Sequence, residues 1–240
     1  MKLSYLTLVL SSAILLAACQ QQEATPPAGQ AASETAAPPA AASVPAASAV
    51  PASSASEAAA KPSARKNGKF FGTDVKKDDI GGDFTLTDGS GKPFALSSLK
   101  GKVVLLTFGY TNCPDVCPTS LLTYNDVVSQ LDGAAKDVAV VFVSVDPERD
   151  TPEAVGKYAK TFNPDFIGLT ATGSQSIPVV KQQYRVVSAK SQQQSDGIYL
   201  VDHTAGTYVL DKSGETVLFE KYGNTAAEIA EDVKTLLAES

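Results

Sequence analysis

The chain has 240 residues, with 26 acidic and 20 basic side chains, a formal net charge of −6, three cysteines and one histidine. That acidic balance argues against nucleic acid or an anionic membrane face as partner, and suits a cationic protein or a metal cation. The odd cysteine count requires that one thiol be explained apart from the other two.

Lys2 followed by the apolar run Leu3 to Leu16 reads as a signal peptide, since the run is too short for a membrane span of about 20 residues. It ends in Leu16-Ala17-Ala18-Cys19, which resembles the lipobox of bacterial lipoproteins. In that motif, cleavage before the cysteine leaves it N-terminal and lipid-modified. The alternative is an ordinary secreted protein in which Cys19 is a spare thiol. Lipidation of Cys19 is preferred because it explains the odd count and leaves a pair. Gln20 to Ser63 is dominated by Ala, Pro, Ser and Gln and has no aromatic residue, so it cannot bury enough apolar surface to offset its ordering entropy. As a flexible coil it reaches about 35 to 40 Å. Lys61, Arg65, Lys66 and Lys69 form a mildly basic neck, read as a solvated spacer. The expected organisation is therefore 1–18 signal peptide, 19–69 lipidated Cys19 and disordered tether, and 70–240 a folded domain. Gln20 lacks the aspartate associated with inner-membrane retention, so the sequence leaves inner and outer membrane both open.

Within the domain, Phe84–Thr87 and Pro93–Leu96 flank Asp88-Gly89-Ser90-Gly91 and predict a hairpin. Val103–Phe108 is a short unbroken apolar run and predicts a buried strand. Leu121, Tyr124, Val128 and Leu131 then recur at helical spacing, with Pro118 as the expected start and Gly133 as the stop. Val138–Val145 predicts a second buried strand, and Val155, Tyr158, Ala159 and Phe162 predict a helix after Thr151-Pro152. Phe166–Leu169 reads as a weaker strand, Ser176–Tyr184 as a short helix and Ser188–Gly197 as a polar loop. Ile198–Val201, Thr207–Leu210 and Thr216–Phe219 read as strands, and Ala226, Ile229, Val233 and Leu236 line a closing helix. Strands alternating with helices, then a late hairpin, predict an α/β mixed central sheet with helices on both faces, preceded by an N-terminal β-hairpin.

The chemistry gathers at Thr111-Asn112-Cys113-Pro114-Asp115-Val116-Cys117-Pro118, where the first buried strand gives way to a helix. A thiol near a helix N-terminus ionises more easily and becomes a better nucleophile or metal ligand. The bland alternative is a structural disulfide, but a bridge closing so short a loop removes only about 2 kcal/mol of unfolded-state entropy. Asp146 to Glu153 follows a strand end, where open α/β sheets place functional loops. Asp150, Thr151 and Pro152 are sufficiently explained as helix punctuation. Asp146 is kept as a candidate support for a metal site or a partner contact. Phe108 and Tyr110 are assigned to the core rather than to a site wall.

Gly101 to Pro118, Ser144 to Glu153 and Asp202-His203-Thr204 together resemble the Sco/SenC family of thioredoxin-like copper proteins. The resemblance implies a thioredoxin-like fold and a single copper ion held by Cys113, Cys117 and His203. It implies a role in assembling the copper centre of cytochrome c oxidase, and cysteines that cycle between dithiol and disulfide. His203 is the single histidine, so no other imidazole could complete such a site. Two thiolates favour Cu(I) and an imidazole also suits Cu(II), while zinc would usually want a fourth protein ligand, which an Asp could supply. The expected partners are a copper-accepting oxidase subunit or another envelope cuproprotein, and a thiol reductant protein. Neither nucleic acid nor membrane contact beyond the lipid anchor is expected. The expected location is the bacterial cell envelope, facing the periplasm. A binding protein is preferred over an enzyme. If there is turnover, Cys113 and Cys117 are the catalytic pair of a thiol-disulfide reductase of envelope proteins, with a possible part in oxidative-stress defence. Peroxide reduction is a third reading, disfavoured because no third free cysteine remains.

Overall fold

The computed structural model describes residues 64–65, 68–173, 175–195 and 198–239. The expected signal segment, Cys19 and nearly all of the expected tether lie outside these residues. Strands β1 (Thr73–Asp74), β2 (Thr85–Asp88), β3 (Pro93–Ala95), β4 (Val103–Gly109), β5 (Val138–Ser144), β6 (Ile167–Thr170), β9 (Gly206–Leu210) and β10 (Thr216–Lys221) form one sheet. Its order is β1-β10-β9-β4-β5-β6-β2-β3. β7 (Ser188–Ser195) and β8 (Ile198–His203) form a separate two-stranded sheet. The helices are α1 (Val116–Ser129), α2 (Pro152–Phe162), α3 (Ile177–Gln183) and α4 (Ala226–Ala238).

β4, β5 and β6 run parallel, and β9 is antiparallel to β4. All of β4 is buried, as its unbroken apolar run requires of a strand covered on both faces. Successive strand residues point to opposite faces, so Phe108 and Phe142, the partner of Thr107, lie on different sides of the sheet. Phe142 meets Tyr158 of α2, and Phe108 meets Tyr184 at the end of α3. Helices therefore cover both faces, as expected.

Capping explains where α2 and α4 begin. Thr151 accepts from the Ala154 N–H at 3.3 Å with Pro152 behind it, and Thr225 forms a capping box with Glu228. At the two hairpin turns, Asp88 and Asp211 play the same part. Each accepts from the backbone of the serine two residues on and from the backbone two residues further, fixing the turn from inside.

Three expectations need correction. α1 begins at Val116, before the expected Pro118, because a proline in the first helical turn forfeits no intrahelical hydrogen bond. Gly133 does not stop it: the helix ends at Ser129, and Asp132, not Gly133, takes the left-handed conformation at φ 47° as the first residue of a short 3₁₀ turn. The expected polar loop at Ser188–Gly197 is largely strand β7, paired antiparallel with β8. Its Ser and Gln residues give no alternation of apolar side chains, so the cross-strand ladder was not legible.

Candidate metal centre

β4 ends at Gly109, and the chain turns over Tyr110–Asp115 before α1 begins. This puts Cys113 in the turn, half-buried, and Cys117 inside the first turn of the helix, buried; both are free thiols. The Cys117 N–H donates to Cys113 Sγ at 3.4 Å, one of the unpaired amides of a helix start turned on a sulfur. Gly109 makes room for this packing. A β-carbon there would sit 2.7 Å from Cys117 Sγ and 2.7 Å from the Phe142 ring, so any side chain would displace the sulfur.

His203 arrives from the other side, at the end of β8. Its Nε2 lies 3.3 Å from Cys117 Sγ, and its Nδ1 lies 3.0 Å from the Thr204 carbonyl. A carbonyl only accepts, so Nδ1 donates to it and Nε2 is the ring nitrogen directed at the sulfurs. Tyr110, buried as expected of a core residue, also meets the imidazole edge to face at 6.0 Å, so it serves both core and site. Phe108 faces Tyr184 and Tyr208 in the core, as expected.

The donor atoms of Cys113, Cys117 and His203 all lie within 4.8 Å of one another. Metal–sulfur bonds of about 2.3 Å and metal–nitrogen bonds of about 2.0 Å separate the donors of one ion by at most about 4.6 Å, so the three need little movement to share an ion. Among the described residues this is the one cluster of metal-ligating side chains. A cleft of about 800 Å³ lies elsewhere, between the β2–β3 turn and α2, and contains none of the three.

The two sulfurs are not equivalent. The hydrogen bond from Cys117 brings the Cys113 thiol down to about 4, helped by His203 and by backbone amides and opposed by partial burial. The same bond, together with burial, pushes Cys117 far up. Cys113 is thus the thiolate at neutral pH, and Cys117 is the thiol that donates to it. Its lowered value means that Cys113 gains its proton only as pH falls toward that value. Alkylation of Cys113 by iodoacetamide is expected to keep one rate from about pH 6 to about pH 8 and to slow below about pH 5. Mass-spectrometric rates across that range check it; a rate still climbing tenfold per pH unit at neutral pH would show an ordinary thiol.

Asp150 is the residue that sequence reasoning missed. It is fully buried, and its carboxylate accepts from the Thr111 N–H at 2.9 Å, the Thr111 hydroxyl at 2.6 Å and the Ser144 hydroxyl at 2.6 Å. It therefore ties the thiol turn to the end of β5, beyond the helix punctuation assigned to it. The signal available was its place just past a strand end, shared with several residues that do nothing comparable. Asp146 is buried too, but its contacts are Arg149, whose Nε donates at 2.6 Å, and Tyr199, whose hydroxyl donates at 2.7 Å. It supports the hairpin that carries His203 and is not in the three-donor cluster.

A strand-to-helix thiol pair met by an imidazole, on a mixed sheet with two-sided helical cover, defines a thioredoxin-like protein with a sulfur and nitrogen donor set. A family model described as SCO1/SenC matches residues 72–238, and the chain belongs to that family. The SCO2-like protein of Rickettsia conorii is 42% identical over 127 residues, covering 52% of this chain and 62% of that protein's length. Among solved structures, Bradyrhizobium japonicum ScoI with copper bound is 43% identical with a TM-score of 0.60, covering 66% of this chain and 99% of that one. BsSco, described as a member of the Sco family of cytochrome c oxidase assembly proteins with a disulfide switch, is 26% identical with a TM-score of 0.52, covering 70% and 96%.

Proposed function

We propose that this protein binds a single copper ion through Cys113, Cys117 and His203 and passes it to a copper-accepting subunit of cytochrome c oxidase or another envelope cuproprotein. The observation that carries this reading is the convergence of the three donors, drawn from a turn, a helix and a separate hairpin. Two soft sulfurs with one imidazole fit copper in either oxidation state. The copper-bound ScoI relative and the oxidase-assembly description of BsSco support the same reading. Three protein donors leave a coordination position through which an acceptor's own ligand can enter. Copper is cargo here, so binding must be reversible, and the cysteines supply the release: exchange with a disulfide-bearing oxidant, itself reduced to a dithiol, joins them as a disulfide and removes both thiolates. A thiol reductant protein is needed to restore them. The proposed setting is a lipid anchor at Cys19, with the folded domain facing the periplasm of a bacterial envelope.

The reduced protein is expected to take up copper to one equivalent and the disulfide form to take up almost none. Copper analysis after gel filtration of each form checks this, and equal loading would refute the reading.

A second reading is favoured by the asymmetry of the thiols: an accessible thiolate beside a buried thiol is an arrangement suited to disulfide exchange. In that case the protein reduces envelope disulfides, with Cys113 attacking and Cys117 resolving. His203→Ala separates the two, because it removes a copper donor and leaves both cysteines of a reductase in place.

A further inference from the structure

Asp150 and Arg149, neighbours on the loop after β5, grip opposite sides of the site. Asp150 holds the thiol turn through Thr111. Arg149 reaches the hairpin that bears His203, and that hairpin needs a hold. β7 and β8 pair with each other and with no strand of the eight-stranded sheet, so no ladder fixes β8 over the thiols. Its base is closed by the Thr204 N–H donating to the Val187 carbonyl at 2.9 Å. Tyr199, Val201 and His203 share one face of β8 by strand alternation. Val201 is buried in the core, and Tyr199 is met by Arg149.

The grip on Tyr199 takes both its backbone and its ring. Arg149 Nε donates to Asp146 at 2.6 Å, Nη1 donates to the Tyr199 carbonyl at 2.9 Å, and the guanidinium lies 3.6 Å from the centre of the Tyr199 ring. Tyr199 closes the circuit by donating its hydroxyl to Asp146 at 2.7 Å. The guanidinium also stands 5.8 Å from the Tyr110 ring, the ring that meets His203 edge to face. A planar fork of fixed donors suits such a task, and lysine could not reproduce it.

We propose that Arg149, oriented by Asp146 and gripping Tyr199, is the positioning residue that fixes the His203 imidazole over the thiols. It acts through the hairpin and not as a donor, because a guanidinium has no lone pair to offer a metal. Together with Asp150 it makes the segment 146–150 a bracket between the two halves of the site. The bracket itself is independent of what the site binds; its consequence for copper rests on the function proposed above.

In the reduced, metal-free protein, Arg149→Ala is expected to speed amide hydrogen exchange in β8 by at least about tenfold while β4 and β5 keep their wild-type rates. Equal acceleration everywhere would make Arg149 a general stabiliser, and no acceleration would mean that the hairpin holds itself; either result overturns the proposal. Should Arg149→Ala fail to fold, Tyr199→Phe, which removes only the bond to Asp146, is read by the same criteria and is expected to show a smaller acceleration confined to the hairpin. In copper competition, Arg149→Ala is expected to weaken binding about 10–100-fold. Added to His203→Ala it should weaken binding no further, because the interaction it supports is already gone. Additive losses overturn the proposal. If the wild-type protein holds no copper, the copper reading falls and the exchange result alone decides the bracket.

Discussion

Cys113→Ser and Cys117→Ser are each expected to lower the copper affinity of the reduced protein by more than about 100-fold. Altering a group one layer outside a metal site typically costs about 10–100-fold, and these substitutions remove a donor outright. Each replaces a soft sulfur with a hard hydroxyl and leaves one thiolate and one imidazole, a poor set for Cu(I). In Cys117→Ser the hydroxyl can still donate to Cys113, as the backbone N–H at 117 does, so Cys113 stays ionised and the loss reports the missing sulfur alone. His203→Ala keeps both sulfurs and should weaken Cu(II) more than Cu(I). Competition against a chromophoric chelator, run under reducing and then non-reducing conditions, measures all three. Wild-type affinity in either cysteine variant would remove that residue from the ligand set.

Asp150→Ala is expected to be the most destabilising single substitution near the site. It strands the Thr111 N–H, the Thr111 hydroxyl and the Ser144 hydroxyl, three donors that now converge on one buried carboxylate. Hydrogen bonds to charged groups are worth about 1.5–3 kcal/mol each, and stranded buried donors add their own penalty, so a loss of about 3–5 kcal/mol follows after partial relaxation. For a domain of this size each kcal/mol lowers Tm by about 2–4 °C, giving a drop of roughly 6–20 °C. Asp150→Asn should also be destabilising, since its amide group turns a donor toward donors. Thermal unfolding of the metal-free protein checks both; a change of less than about 1 kcal/mol would mean that water replaces the carboxylate and that the turn is held elsewhere.

The residues that could be read from the sequence were those whose neighbours repeat a pattern. The apolar run of β4, the helical stripe after it and the cysteines between them identify the turn without any structure. His203 was legible as a candidate third donor only through the resemblance to a family, because a single histidine carries no periodic signal of its own. The supports were not legible. Asp150 looks like an ordinary residue before a helix, and its three partners come from two other segments. β7 escaped for a related reason: its pairing is carried by backbone groups, which every residue has, and not by an alternation of side chains. The start of α1 was misplaced because the rule against proline holds for a helix interior and lapses in the first turn.

The strand order has one more consequence. β4 and β9 are adjacent, and the thiol turn leaves the end of one close to where the imidazole arm enters the other. The β2–β3 hairpin sits at the far margin, beyond β5 and β6. Fraying that margin costs abundance without touching the donors. An inherited or engineered lesion there would act as a shortage of protein, curable by raised expression, whereas a lesion at the central pair would defeat any dose.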